Sequence, residues 1–108
     1  MYDYTTPTLT LTVPNDVNLT QATIVYVTFA TDDDNEEPFL NLSSNDSGVS
    51  VYAHKVEVFL TQGQTAIFPH RSKIQVNWLY DDGGVTKRMA TKKAKITTDT
   101  NLLDRVLP

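Results

Sequence analysis

The chain has 108 residues, 40% of them hydrophobic and 20% charged, with a formal net charge of −4 and no cysteine. That length supports one domain with its own core and is too short for two comfortable ones. The missing cysteines exclude disulfides, thiolate metal sites and cysteine nucleophiles, and the acidic balance argues against general nucleic-acid binding.

In chain order, Thr8-Leu9-Thr10-Leu11-Thr12-Val13 alternates between polar and apolar, which places Leu9, Leu11 and Val13 on one face of a strand that Pro14-Asn15-Asp16 closes. Ala22 to Ala30 is apolar on both sides at its centre, and its β-branched and aromatic content favours a central strand over a buried helix. Glu37 to Leu42 is a weaker strand, Ser43 to Gly48 a turn, and Val49 to Tyr52 a short edge strand. His54 to Thr61 resumes the alternation with Val56, Val58 and Leu60. Thr61 to Phe68 loses it and reads as one helical turn that tucks Ile67 or Phe68 beneath the end of the domain.

The clearest signal follows. In Lys73-Ile74-Gln75-Val76-Asn77-Trp78-Leu79-Tyr80, the residues Ile74, Val76, Trp78 and Tyr80 recur at every second position, and Asp81-Asp82-Gly83-Gly84 supplies a tight hairpin turn. Val85 to Thr97 forms the last strand, but its parity shifts. Val85 and Met89 face one way, then Ala90, Ala94 and Ile96 carry the apolar pattern, which calls for a one-residue bulge near Met89. The sixteen threonines suit the exposed side of pleated strands. About seven short strands with no long helix predict an all-β, immunoglobulin-like antiparallel β-sandwich over residues 1–108, with its core at 8–97 and a short tail at 98–108.

Candidate sites are few. Asp32, Asp34 and Glu36 hold positions one, three and five of an EF-hand-like loop. The match then fails, because Glu37 replaces the turn glycine, Pro38 follows, and Ser43 stands where a bidentate glutamate belongs. The segment reads as a solvated acidic hairpin tip. His54 and His70 have no ligand pattern around them, and neither a Gly-x-Ser-x-Gly elbow nor a phosphate-binding glycine loop occurs. No catalytic residue, metal site or cofactor is therefore expected.

Charge is unevenly spread. Residues 1–54 hold eight acids and no Lys or Arg, whereas residues 55–108 hold nine basic residues and five acids, so the halves carry −8 and +4. Lys87, Arg88, Lys92, Lys93 and Lys95 make the last strand basic. Lysines commonly guard an edge strand, and they also suit an acidic protein surface. Aromatic residues do not interleave with them as they would in a single-strand stacking platform, so nucleic acid ranks below protein as a partner. The tail adds Leu102, Leu103, Val106 and Leu107, apolar residues that look exposed and offer contact area. Met1-Tyr2-Asp3-Tyr4 carries no basic region followed by an apolar stretch, so no secretory signal is expected, and no run is long enough to span a bilayer.

Thr6-Pro7-Thr8-Leu9-Thr10-Leu11, Lys55-Val56-Glu57-Val58-Phe59-Leu60-Thr61-Gln62, Lys73 to Gly83 and the closing basic strand together resemble small virion proteins of tailed bacteriophages and of prophages in Gram-positive hosts. The same features are similar to the immunoglobulin-like N-terminal domain of phage baseplate upper proteins, over roughly Thr8 to Thr97. The resemblance implies a non-enzymatic structural or interaction protein at the head surface, neck or baseplate. Its expected partners are other virion proteins or further copies of itself, and its expected locations are the host cytoplasm during assembly and then the virion. The alternative is a carbohydrate-binding or adhesive module, for which Tyr2, Tyr4, Tyr52 and Phe39 are the candidate aromatic platform.

Overall fold

A computed structural model describes all of residues 1–108. Eight strands follow in order: β1 (Thr8–Thr12), β2 (Ile24–Thr31), β3 (Pro38–Ser43), β4 (Val49–Val51), β5 (Lys55–Phe59), β6 (Arg71–Asp82), β7 (Val85–Ala90) and β8 (Ala94–Thr97). A 3-10 turn at Leu19–Gln21 precedes β2, and a single short helix, α1 (Gln62–Ala66), links β5 to β6.

The strands form two antiparallel sheets, ordered β1-β5-β4 and β3-β2-β6-β7, with β8 pairing to β6 alongside β7. An immunoglobulin sandwich sets its B, E and D strands against its C, F and G strands. Here β1, β5 and β4 take the first set of places, and β2, β6 and β7 the second. β3 stands where variable-type domains add a strand beside C, and the first strand of that pattern has no counterpart. The expected all-β sandwich is therefore the fold observed.

The core lies between the sheets. Val25, Val27 and Phe29 of β2, Val56 and Val58 of β5, and Ile74, Val76 and Trp78 of β6 are all buried. Each set occupies alternate positions, because a strand turns successive side chains to opposite faces. β2 is central, as its composition predicts, but its burial alternates: Tyr26 and Thr28 lie half-buried on the outer face. Val13 is buried, whereas Leu9 and Leu11 are only partly so, since β1 is an edge strand. Phe68 packs edge-to-face on both Phe29 and Phe39 with ring centroids 5.0 Å apart, while Ile67 points outward. The helical turn thus tucks in Phe68 alone.

α1 is only five residues long and contains a glycine, so its stability comes from its ends rather than from propensity. Thr61 caps it by accepting from the Gln64 amide, and the Gln64 side chain accepts from the Thr61 amide in return. The buried Thr65 hydroxyl donates to the Thr5 carbonyl at 2.8 Å and accepts from the Thr5 amide at 3.0 Å. This ties the N-terminal segment to the helix. Gly48 is required sterically, because a β-carbon there would sit 2.9 Å from the carbonyl oxygen of Phe59.

The predicted last strand is two strands, which raises the expected seven to eight. β7 pairs with β6 through Ala90 opposite Asn77, and β8 begins with Ala94 opposite Ile74. Residues 91–93 thus stand against only Gln75 and Val76, three against two. The slip is one residue, as the parity shift predicts, but it falls at 91–93 rather than near Met89. Ala90 accordingly lies opposite Asn77 on the outer face, not with Ala94 and Ile96. The bulge is held by three contacts: the Thr91 amide donates to the Val76 carbonyl, the Val76 amide to the Thr91 hydroxyl, and the Gln75 carboxamide to the Thr91 carbonyl.

Candidate interaction surface

The two ends of the sandwich differ. One end carries α1, the β2–β3 loop and both chain termini, which meet where Tyr2 bridges Asp99 in parallel and the Asp3 amide donates to the Asp99 carbonyl. The other carries the 3-10 turn, the β4–β5 turn and the tip of the β6–β7 hairpin, where Gly83 and Gly84 adopt positive φ. The molecule is elongated, 52 × 33 × 21 Å.

Every residue of β7 is exposed, and β7 and β8 form one edge of the larger sheet. The basic residues on this edge are not equivalent. Lys87 pairs with Asp82 at 2.6 Å across the hairpin, and Arg88 donates through Nε and Nη2 to Asn77 Oδ1 at 3.1 and 3.0 Å. Lys93 binds Glu36. Lys92 and Lys95 have no ion-pair partner and project from the edge.

Glu36 is the centre of the strongest charge cluster. It accepts from Lys73 Nζ at 2.7 Å and from Lys93, and Lys73 Nζ also lies 3.4 Å from Asp32. The loop reaches Lys73 by bending back at Glu36, whose φ of 45° is rare for a residue with a β-carbon. Asp33 supports the bend by accepting from the Thr31 hydroxyl and from the amides of Asn35 and Glu36. The acidic loop and the basic strand are thus joined through one residue rather than standing wholly apart. Asp34 and Glu37 remain exposed.

Hydrogen bonds from Lys73 and then Lys93 hold the Glu36 carboxyl at a pKa of about 2, below its ordinary 4.5. The Lys73 ammonium is raised above 10.5, chiefly by its bond to Glu36. A depressed acid stabilises the fold fully above its ordinary pKa and loses that contribution as pH falls towards the folded value. The Glu36 contribution is therefore complete above pH 4.5 and disappears towards about 2, and that of Lys73 persists below 10.5 and is lost as pH rises through its raised value. Glu36→Gln is expected to flatten the acid limb of a plot of denaturation midpoint against pH over that lower window. Superimposable acid limbs for wild type and variant would show that the cluster adds nothing.

In the EF-hand-like segment Asp32 and Glu36 turn to Lys73 while Asp34 faces solvent, and no group of three or more His, Cys, Asp or Glu side chains gathers in the chain. His54 Nδ1 contacts the Val17 carbonyl and His70 Nδ1 the Thr98 carbonyl, so each histidine secures a loop on a different element. Tyr52 stands apart from the other candidate platform aromatics. Phe39 packs on Phe68, Tyr52 lies beneath the Lys55 ammonium at 4.8 Å, and Tyr2 sits at the opposite end beside Asp99.

The tail starts from a buried Thr98, is exposed beyond Asn101, and is pinned at two points. The Asn101 amide donates to Asp3 Oδ1 at 2.6 Å, and Leu107 exchanges two hydrogen bonds with the Gln62 carboxamide. Between these pins Leu102 is fully exposed, and Leu103, Val106 and Leu107 are each about half exposed. Lys92, Lys93 and Lys95 lie towards this end of the sheet, whereas Lys87 and Arg88 belong to the hairpin half.

Neither the Glu36 grip nor the tail pins are visible in the sequence, since each joins residues at least 37 positions apart. No family model, curated protein or solved structure matches this chain. No helix is long and apolar enough to cross a membrane.

Proposed function

We propose that this protein is a non-enzymatic structural and interaction component of a tailed-phage particle, working through the basic edge of its larger sheet and its apolar tail. One observation carries the reading: apolar side chains that would ordinarily be buried are held out on a tail fixed at Asn101 and Leu107. A pinned segment loses less conformational entropy on docking than a free one, so its leucines are suited to contact. Lys92 and Lys95, towards the same end of the sheet, supply unneutralised charge, which steers encounter more than it tightens a complex. Exposed charges are screened beyond about 8 Å in physiological salt, so the apolar residues supply most of the affinity. The resemblance of the strand motifs to small virion proteins supports the setting in a phage particle.

The test is incorporation into purified particles. Deleting residues 102–108 spares Asn101 and its bond to Asp3, and is expected to cause the larger defect. Lys92→Glu with Lys95→Glu is expected to slow incorporation while leaving the isolated fold intact, since both residues are exposed and unpaired. Wild-type levels of both variants in particles would remove the edge and the tail from the interface. Absence of the wild-type protein from particles would overturn the virion reading itself.

A further inference from the structure

The larger sheet has two open edges, and their chemistry is opposite. At one edge is β7, continued by Lys92 and Lys95. At the other is β3, preceded by exposed Asp34 and Glu37. Each strand from β3 through β2 and β6 to β7 runs antiparallel to its neighbour, so β3 and β7 point in opposite directions. A second copy displaced sideways in the plane of the sheet would therefore bring its β3 against β7 as one more antiparallel pair. Both strands are six residues long.

The register is constrained as well. In an antiparallel ladder successive residues turn their N–H and C=O alternately towards one neighbour and then the other. The Thr91 amide donates to Val76, so Thr86, Arg88 and Ala90 direct their backbone groups away from β6. The Ser44 amide donates to Val25, so Asn41 and Ser43 direct theirs away from β2. Placing Arg88 opposite Asn41 of the second copy satisfies the free backbone groups of both, while Ser43, opposite Thr86 in that register, keeps its amide on Asp46 Oδ2 and its carbonyl on the Asp46 amide and marks where the new ladder ends. Arg88 lies opposite Leu79 and Asn41 opposite Thr28, so both face the outer side of the sheet and the faces also agree. Met89, about half exposed, then meets Leu40 on the core side. Beyond the ladder, where the bulge at 91–93 and the turn at Glu36 end strict register, Lys92 and Lys95 of one copy and the exposed Glu37 and Asp34 of the next lie at the same end of the new pair.

We propose that copies of this protein associate head to tail by pairing the β7 edge of one with the β3 edge of the next, selected by Lys92 and Lys95 against Glu37 and Asp34. Lys87 and Arg88 on β7 oppose pairing of that edge with itself, since a two-fold arrangement sets like charges together. The contact is heterologous, so each copy keeps one free edge and the assembly closes as a ring or extends. The partner so named rests on the structural reading above.

Two variants test it by sedimentation and light scattering on the intact chain. Lys92→Glu/Lys95→Glu disables only the β7 edge, and Asp34→Lys/Glu37→Lys only the β3 edge. Wild type is expected to self-associate with rising concentration, and each variant alone to weaken that association by at least about tenfold. Mixing the two variants is expected to restore association with the two alternating, because the reversed β7 edge of one meets the reversed β3 edge of the other and their unreversed edges also match. Combining all four substitutions in one chain restores self-association. Hydrogen exchange on wild type is an independent readout, with concentration-dependent protection expected at Arg88 and Asn41. A wild type that stays monomeric up to millimolar concentration, or variants that fail to pair when mixed, would overturn the proposal. A monomer that still enters particles defeats the self-pairing alone, whereas an oligomer absent from particles defeats the virion reading alone.

Discussion

Trp78→Ala is expected to lower stability by about 3–5 kcal/mol, the range of large aromatic truncations in a packed core. The indole is 6% exposed and belongs to the 13-residue hydrophobic cluster between the sheets. β6 pairs with β2 on one side and with β7 and β8 on the other, so a void at Trp78 opens in the strand that joins most of the larger sheet. Urea denaturation measures the loss. Thr86→Ala, exposed on β7, is the neutral control and should stay within about 0.5 kcal/mol. Gln75 lies on the opposite face from Trp78 but is a poorer control, because its carboxamide holds the bulge at Thr91 and its removal should cost about 0.5–1.5 kcal/mol. Equal, small losses at Trp78 and Thr86 would contradict the packing described.

Thr65→Val is expected to cost about 1–3 kcal/mol, although it conserves shape and adds apolar character. The Thr65 side chain is fully buried, and its hydroxyl serves both the amide and the carbonyl of Thr5 and also contacts the Gln62 carbonyl at 3.2 Å. Valine leaves the two Thr5 groups without a partner in a part-buried position. Thr65→Ser keeps the hydroxyl and should recover most of the loss. Faster exchange of the Thr5 amide in the valine variant, but not in the serine variant, would locate the effect. Unchanged exchange and stability in both would show that the N-terminal segment is held by other contacts.

Where the sequence was informative, the governing physics was local. Period-two alternation in β1, β5 and β6 identified both the strands and their inward faces, because side-chain direction in a strand depends on position along the chain alone. The parity change between Met89 and Ala94 also announced a one-residue slip. Its place did not follow, since that depends on Thr91 meeting Gln75 and Val76 across the sheet. The same limit applies to charge. A run of lysines marked the last strand as basic, but which of them are already neutralised depends on a loop some 57 residues away reaching Lys93. Leu102 to Leu107 were legible as an exposed apolar tail; their fixation by Asp3 and Gln62 was not.

The slip at 91–93 also makes the last strand a ruler. Side-chain direction has only two states, so an offset of one residue cannot be spread over its neighbours as a small adjustment. Removing a single residue from 91–93 would set two residues against Gln75 and Val76 and merge β7 and β8 into one regular strand, with Lys95 still outward and Ile96 still inward, whereas the same deletion within β6 would reverse every side chain beyond it. Length changes at the Gly83–Gly84 turn or beyond Asn101 meet no such constraint. The few residues between Ala90 and Ala94 therefore hold one residue more than the ladder needs, so a single deletion there should be better tolerated than one within β6.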